Sequence, residues 1–301
     1  MNESYKVTED LETYAYLTQL LQFEAIGYAY SVWRREWKGP GKEYCGGVLV
    51  WQSNDCWPVT SWAIIDYYLR PKPVYYAIKR ALAPIALGML RTVHKNRPND
   101  RPVQFYEYGA FQSTSGLPTQ ISTPLTGTLE VTFFDLDDQD FRQTEKRQVI
   151  LQSNQSTELI TGIEVPRAPG GTIVVQAKIV GGSGEVLALE ANWPEPYRYL
   201  DVPDAGLTVS AKLVDAHSAE VTLEVQRPAR CIMLSMKEDG VVPRRENLEM
   251  QWNRVTWSDN ALDLVPGEKR RVRVSGLEGL KNKEIEVRML GKEKGSVFAE
   301  L

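Results

Sequence analysis

One short stretch holds most of the chain's chemical promise: Trp51-Gln52-Ser53-Asn54-Asp55-Cys56-Trp57-Pro58-Val59-Thr60-Ser61-Trp62. An indole face can receive the C–H face of a sugar ring, while Gln, Asn and Asp can bond hydroxyls. The stretch follows Gly46-Gly47-Val48-Leu49-Val50-Trp51, an unbroken apolar run that reads as a strand buried on both faces. In a parallel α/β barrel, the loop after the C-terminal end of a strand is where substrate sits. The competing reading makes the same tryptophans core rings beneath a long loop.

Other chemistries find no footing. The only histidines, His94 and His217, are far apart, and no C-x-x-C or H-x-x-x-H spacing suggests a metal site. Cys45, Cys56 and Cys231 are too scattered for a disulfide framework; a Cys45–Cys56 bridge is conceivable, but buried free thiols are the better expectation. There is no G-x-S-x-G elbow for a Ser-His-Asp triad, and with no G-x-G-x-x-G or G-x-x-x-x-G-K no cofactor is expected. With 35 Lys plus Arg against 39 Asp plus Glu, the net charge of -4 speaks against a nucleic-acid partner. No apolar run nears the roughly 20 residues of a membrane span, and the polar Met1–Lys6 lacks the apolar core of a secretion signal. Whatever chemistry remains would run on carboxylates and aromatics.

The elements that must hold the tryptophan loop fall in the aromatic-rich N-terminal third. Residues 1–90 carry five of the eight tryptophans and ten of the fourteen tyrosines. Thr8 can cap a helix whose apolar residues recur at Leu17, Leu20, Leu21, Ala25, Tyr28 and Val32, with Arg34 and Arg35 near its end. Gly39-Pro40-Gly41 then breaks the chain, and Pro73–Leu82 predicts a second helix with Val74, Ile78 and Leu82 on one face. Helix, buried strand, loop, helix is a piece of an α/β architecture too small to close alone. Past residue 92 the pattern becomes short alternating strands: Thr128–Phe134, Gln148–Leu151, Glu158–Val165, Thr172–Val180, Val186–Trp193, Leu207–Leu213, Ala219–Val225, Cys231–Met236, Arg270–Val274 and Glu284–Met289. Their number suffices for two β-sandwiches, divided near Pro194–Gly206.

The stretch GGVLVWQSNDCWPVTSWAIIDYYLRPKPVYYAIKRALAP, Gly46–Pro84, closely resembles the last barrel strand, loop and helix of glycoside hydrolase family 2 β-mannosidases. Leu17-Thr18-Gln19 and Trp33-Arg34-Arg35 support the resemblance in the preceding helix. So do Trp257-Ser258-Asp259-Asn260 and Pro266-Gly267-Glu268 in what looks like the terminal immunoglobulin-like domain. Ser53 departs from the family pattern, which usually has leucine there.

The resemblance implies an α/β plus all-β chain: residues 1–88 as the C-terminal end of a (β/α)8 TIM barrel (helix 7, strand 8, helix 8), then immunoglobulin-like sandwiches at 89–200 and 201–301. It implies that both catalytic glutamates lie upstream of Met1, so this chain carries none and would be inactive alone; a retaining pair must stand about 5–5.5 Å apart across the bond. Asn2-Glu3 mimics the family's acid/base dipeptide only by coincidence, and Glu24 reads as a polar helical position. Trp51 matches the tryptophan that floors the subsite for the terminal mannose, and a cis Trp51–Gln52 bond is implied. Asn54, Asp55 and Trp57 are expected to support the loop, with Trp57 and Trp62 in packing roles, and Arg70 and Lys72 as solvated or paired charges. The implied partners are β-mannosides or manno-oligosaccharides and the missing N-terminal part of the enzyme, with no nucleic acid and no membrane. The Trp-Pro-Val-Thr-Ser-Trp sequence resembles the intracellular fungal type, which implies the cytoplasm; secretion would make Asn2 and Asn154 glycan acceptors. Two alternatives stand beside the enzyme portion: a stand-alone carbohydrate-binding or interaction protein built on two sandwiches, and a structural module without sugar affinity.

Overall fold

A computed structural model describes residues 4–95, 105–114, 124–194, 196–237, 255–280 and 282–301; the Asn2-Glu3 dipeptide lies outside them. The chain is mostly antiparallel β-sheet and divides into two compact units. The first comprises Met1–Val7, Ala25–Leu49 and Ile78–Asp201, the second Thr8–Glu24, Val50–Ala77 and Val202–Leu301.

The first unit faces two sheets together. One orders β1 (Ile85–Lys95), β2 (Phe105–Thr114) and β5 (Ser156–Glu164); the other orders β4 (Arg142–Leu151), β3 (Leu125–Asp135), β6 (Ile173–Gly181) and β7 (Val186–Asn192). Every second residue of β3, Leu129, Val131 and Phe133, points into the core, where Val175, Ala177 and Ile179 of β6 meet them with Ile160, Ile163, Leu87 and Met89. That period of two is what a sheet with one buried face requires. Turn chemistry closes the end of β3: buried Asp135 accepts the Gly170 N–H at 2.7 Å and the Asp137 N–H at 2.9 Å.

The second unit repeats the plan. One sheet orders β12 (Leu262–Leu264), β10 (Ala229–Met236), β14 (Glu284–Met289) and β15 (Lys292–Glu300). The other orders β11 (Thr256–Trp257), β13 (Lys269–Ser275), β9 (Ser218–Glu224) and β8 (Thr208–Leu213). Its core gathers Val221, Leu223, Val272, Val274, Ile232, Leu234, Ile285 and Val287. Asn260 fastens one edge: its Oδ1 accepts the Leu234 N–H and its Nδ2 donates to the Leu234 carbonyl, both at 2.8 Å. The turn at Pro266-Gly267 uses a φ of 83° at Gly267, which glycine adopts without a Cβ penalty.

Two helices precede the sheets. In α1 (Leu11–Arg35) the N-cap is Asp10, whose Oδ1 accepts the Thr13 N–H at 2.9 Å; Thr8 accepts the Asp10 N–H just outside the helix, so the cap lies two residues after the one expected. The buried stripe also differs. Tyr16, Leu17, Leu20 and Phe23 pack with the second unit and Tyr30 with the first, whereas Ala25 and Tyr28 are exposed. The rings of Tyr16 and Phe23 lie four and three residues from Leu20, a spacing that an aliphatic count passes over. In α2 (Pro73–Ala81), Val74, Tyr76, Ala77 and Ile78 are buried and Leu82 is not. Arg34 caps the end of α2, its Nη1 donating to the Ala81 carbonyl at 2.5 Å and the Ala83 carbonyl at 2.7 Å.

The strand expected at Gly46–Trp51 is absent from this chain. The segment makes no ladder and its Leu49 is 97% exposed. A strand forms only against a partner, and none of the described strands lies beside this one in a sheet.

Candidate functional site

The tryptophan loop hangs on a small ladder within the second unit. The Ile64 N–H donates to the Gln52 carbonyl at 3.2 Å, Ile65 to Ser53 at 3.0 Å, and Asp55 to Ile65 at 3.0 Å. Asn54 and Ile65 form a parallel bridge, and Ile65 pairs on its other side with Pro71. The limb after Ile65 is folded back by Asp66, which the sequence reading passed over. Its Oδ1 accepts the N–H groups of Tyr68 and Arg70, both at 2.9 Å, and its Oδ2 pairs with Arg70 Nε at 2.7 Å. An aspartate four residues before an arginine was the available signal, and the structure adds Leu69 between them at φ 62°. From α1, Gln22 Nε2 donates to the Trp62 carbonyl at 2.6 Å.

On this frame the rings stand outward. Trp51 is 77% exposed and its bond to Gln52 is cis, as the resemblance implied. Trp57 and Trp62, expected to pack, are exposed as well and lie outside the second unit's core cluster. Asn54 is exposed, and its Nδ2 donates to the Asp55 carbonyl at 3.2 Å. Asp55 is different. Its side chain is only 6% exposed, and Oδ2 takes no hydrogen bond among the described residues, with Lys72 Nζ 3.7 Å away. Arg70 and Lys72 are thus paired charges, Arg70 lying over the Tyr68 ring with its Cζ 5.2 Å from the centroid. Trp51, Asn54, Asp55 and Trp57 therefore share one loop, with the aspartate turned inward and the rings outward.

Glu24 is not a plain polar helical position: its Oε1 accepts from Arg230 Nη2 at 2.7 Å, while Arg230 Nη1 pairs with Asp263. One guanidinium neutralises both carboxylates, which gives the cluster a structural role. Tyr16 completes it by donating to the Cys231 carbonyl at 3.0 Å, and burial pushes its phenol well above the usual tyrosine range. Burial likewise lowers the Arg34 guanidinium to about 10. Among the described residues, no three His, Cys, Asp or Glu side chains could hold a metal. No disulfide forms; of the three cysteines only Cys231 is buried, and Cys56 stands exposed in the tryptophan loop. No helix among the described residues is long and apolar enough to cross a membrane.

Comparisons with known proteins follow the same division. Residues 121–199 match the "Mannosidase Ig/CBM-like domain" and residues 202–291 the "Ig-fold domain" of mannosidases. Beta-mannosidase B of Thermothelomyces thermophilus is 37% identical over 290 residues, covering 94% of this chain and 32% of that protein. Beta-mannosidase B of Aspergillus niger is 34% identical over 293 residues, covering 96% of this chain and 32% of that protein. The chain thus spans about a third of the length of the curated relatives it matches. Among solved structures, the β-D-mannosidase of Dictyoglomus thermophilum superposes with a TM-score of 0.72 at 22% identity, over 100% of this chain and 32% of that one. The exo-chitosanase CsxA of Amycolatopsis orientalis reaches 0.65 at 17% identity, over 94% and 34%. At such identities the two structures speak for the fold alone.

Proposed function

The chain belongs to the glycoside hydrolase family 2 β-mannosidases, whose C-terminal part it matches, and from that premise we infer that it works as one portion of an exo-β-D-mannosidase. The whole enzyme would remove terminal non-reducing β-D-mannose from manno-oligosaccharides with retention of configuration. Retention needs a nucleophile and an acid/base carboxyl about 5–5.5 Å apart, and both would be supplied by the upstream part. Residues 1–88 would complete the (β/α)8 barrel, with Gly46–Trp51 as its last strand, while 89–200 and 201–301 supply the two sandwiches. Trp51 would floor the mannose subsite, with Asn54, Asp55 and Trp57 shaping the loop around it.

The observation that carries this reading is Gly46–Trp51: an apolar run suited to burial on both faces that joins no ladder among the described residues and ends in an exposed tryptophan. A second reading, a stand-alone carbohydrate-binding protein, draws on the same exposed Trp51, Trp57 and Trp62. An exposed Cys56 and the absence of disulfides suit the cytoplasm, where thiols stay reduced.

The test is a chimera. This chain replaces the matching third of the Thermothelomyces thermophilus enzyme, and hydrolysis of p-nitrophenyl β-D-mannoside is followed beside that of the chain alone. The enzyme-portion reading predicts an active chimera and an inert chain. A chimera that folds and stays inert, or a chain that binds manno-oligosaccharides unaided, would favour the second reading.

A further inference from the structure

The inward-facing Asp55 has a consequence beyond packing. Its carboxylate is nearly dehydrated, and the Lys72 ammonium at 3.7 Å is the charge that offsets its burial. Lys72 does more than neutralise it. Its Nζ donates to the Ser61 carbonyl at 3.2 Å and lies 3.5 Å from Ser61 Oγ, while Oγ accepts the Ala63 N–H at 3.1 Å. Its own backbone N–H donates to the Ile64 carbonyl at 2.9 Å. One side chain at the foot of α2 therefore reaches both limbs of the loop: the outgoing limb at Asp55, four residues after Trp51, and the returning limb at Ser61, next to Trp62. Lys72 is itself only 17% exposed, so water competes weakly for these contacts.

We propose that Lys72 is the positioning residue of the tryptophan loop, its ammonium bridging Asp55 and Ser61 so that the Trp51 face is held ready for the sugar. The proposal rests on the reading of Trp51 as a mannoside platform. A brace of this kind acts on binding: loss of it lets the platform wander and leaves the bond-breaking carboxylates untouched.

Two measurements test it. In the 301-residue chain, hydrogen exchange of residues 52–66 is compared for wild type, Lys72→Met, Lys72→Arg and Asp55→Asn. Exchange there should quicken about tenfold in Lys72→Met and Asp55→Asn, far less in Lys72→Arg, and stay unchanged in the β-sandwich strands. In the chimera, Lys72→Met should raise KM about tenfold while kcat falls much less, with Lys72→Arg recovering most of the loss. Unchanged exchange in Asp55→Asn and Lys72→Met would overturn the brace. Quickened exchange with KM unmoved would overturn its role in holding substrate. An inert wild-type chimera would defeat the mannosidase reading instead, and exchange would then decide the brace by itself.

Discussion

Arg230 offers the sharpest test of how the second unit is held. Its side chain is 9% exposed, and it faces Glu24 and Asp263, themselves 16% and 12% exposed. Its Cζ also lies 5.5 Å from the centroid of the Phe23 ring. Arg230→Met keeps much of the apolar stem and removes the charge from between two buried carboxylates. Breaking such a group by removing one partner costs about 3–5 kcal/mol, because the remaining charges stay desolvated. At the lower bound, a unit of 145 residues should lose roughly 6–12 °C in melting temperature. Urea unfolding followed by circular dichroism reads the free energy directly. The control is the triple variant Glu24→Gln/Arg230→Met/Asp263→Asn, in which the charges leave together and much of the loss should return. Lys292→Ala removes an exposed ion pair with Asp204 at 2.8 Å and should cost less than about 1 kcal/mol. A loss below about 1 kcal/mol for Arg230→Met, or a triple variant as unstable as the single one, would refute the reasoning.

Other consequences can be checked beside it. The Thr13 N–H and Lys294 hold the Asp10 carboxyl at about 2, below its ordinary 3.8. The stability it lends is therefore complete above pH 3.8 and fades as pH falls toward 2, so wild type and Asp10→Asn should converge in acid melts. The buried Tyr16 phenol is raised instead, so its contribution is complete below pH 10 and is lost as pH climbs beyond it. Tyr16→Phe should remove that alkaline dependence and cost about 1 kcal/mol at neutral pH. Gly170→Ala places a Cβ 2.5 Å from both Asp135 Oδ1 and Asp137 Cβ, and should destabilise the first unit by about 1–3 kcal/mol in urea. Trp51→Ala should leave the melting of the isolated chain unchanged, since the ring is exposed, while lowering kcat/KM of the chimera; a destabilised chain would place that ring in the core.

How much of this was legible in the sequence depends on the element. The inward residues Leu129, Val131 and Phe133 of β3, Val221 and Leu223 of β9, and Val272 and Val274 of β13 alternate, so the sequence alone places them, whereas the first five residues of β6 are all buried. β1, Ile85–Lys95, is hidden because Arg91 and His94 interrupt its apolar alternation; β2, Phe105–Thr114, and β15, Lys292–Glu300, lack a clear alternation of their own. The Asp10 cap was overlooked because Thr8 offers an equally good oxygen two residues earlier, and only geometry decides between them. At the candidate site, composition pointed to the Trp51–Trp62 stretch, yet not to its inner frame. The Asp55–Lys72 pair joins residues separated by a loop, and no local spacing announces it. Gly46–Trp51 shows the converse: its composition suits burial on two faces, yet the segment joins no ladder among the described residues.

The most direct measurement is the size of the polypeptide in extracts of the source cells, by immunoblot with antibody raised against the two β-sandwich units. A portion of a larger β-mannosidase should give a band far above 34.1 kDa that travels with β-mannosidase activity through gel filtration. A single band at 34.1 kDa, separate from that activity, would contradict it.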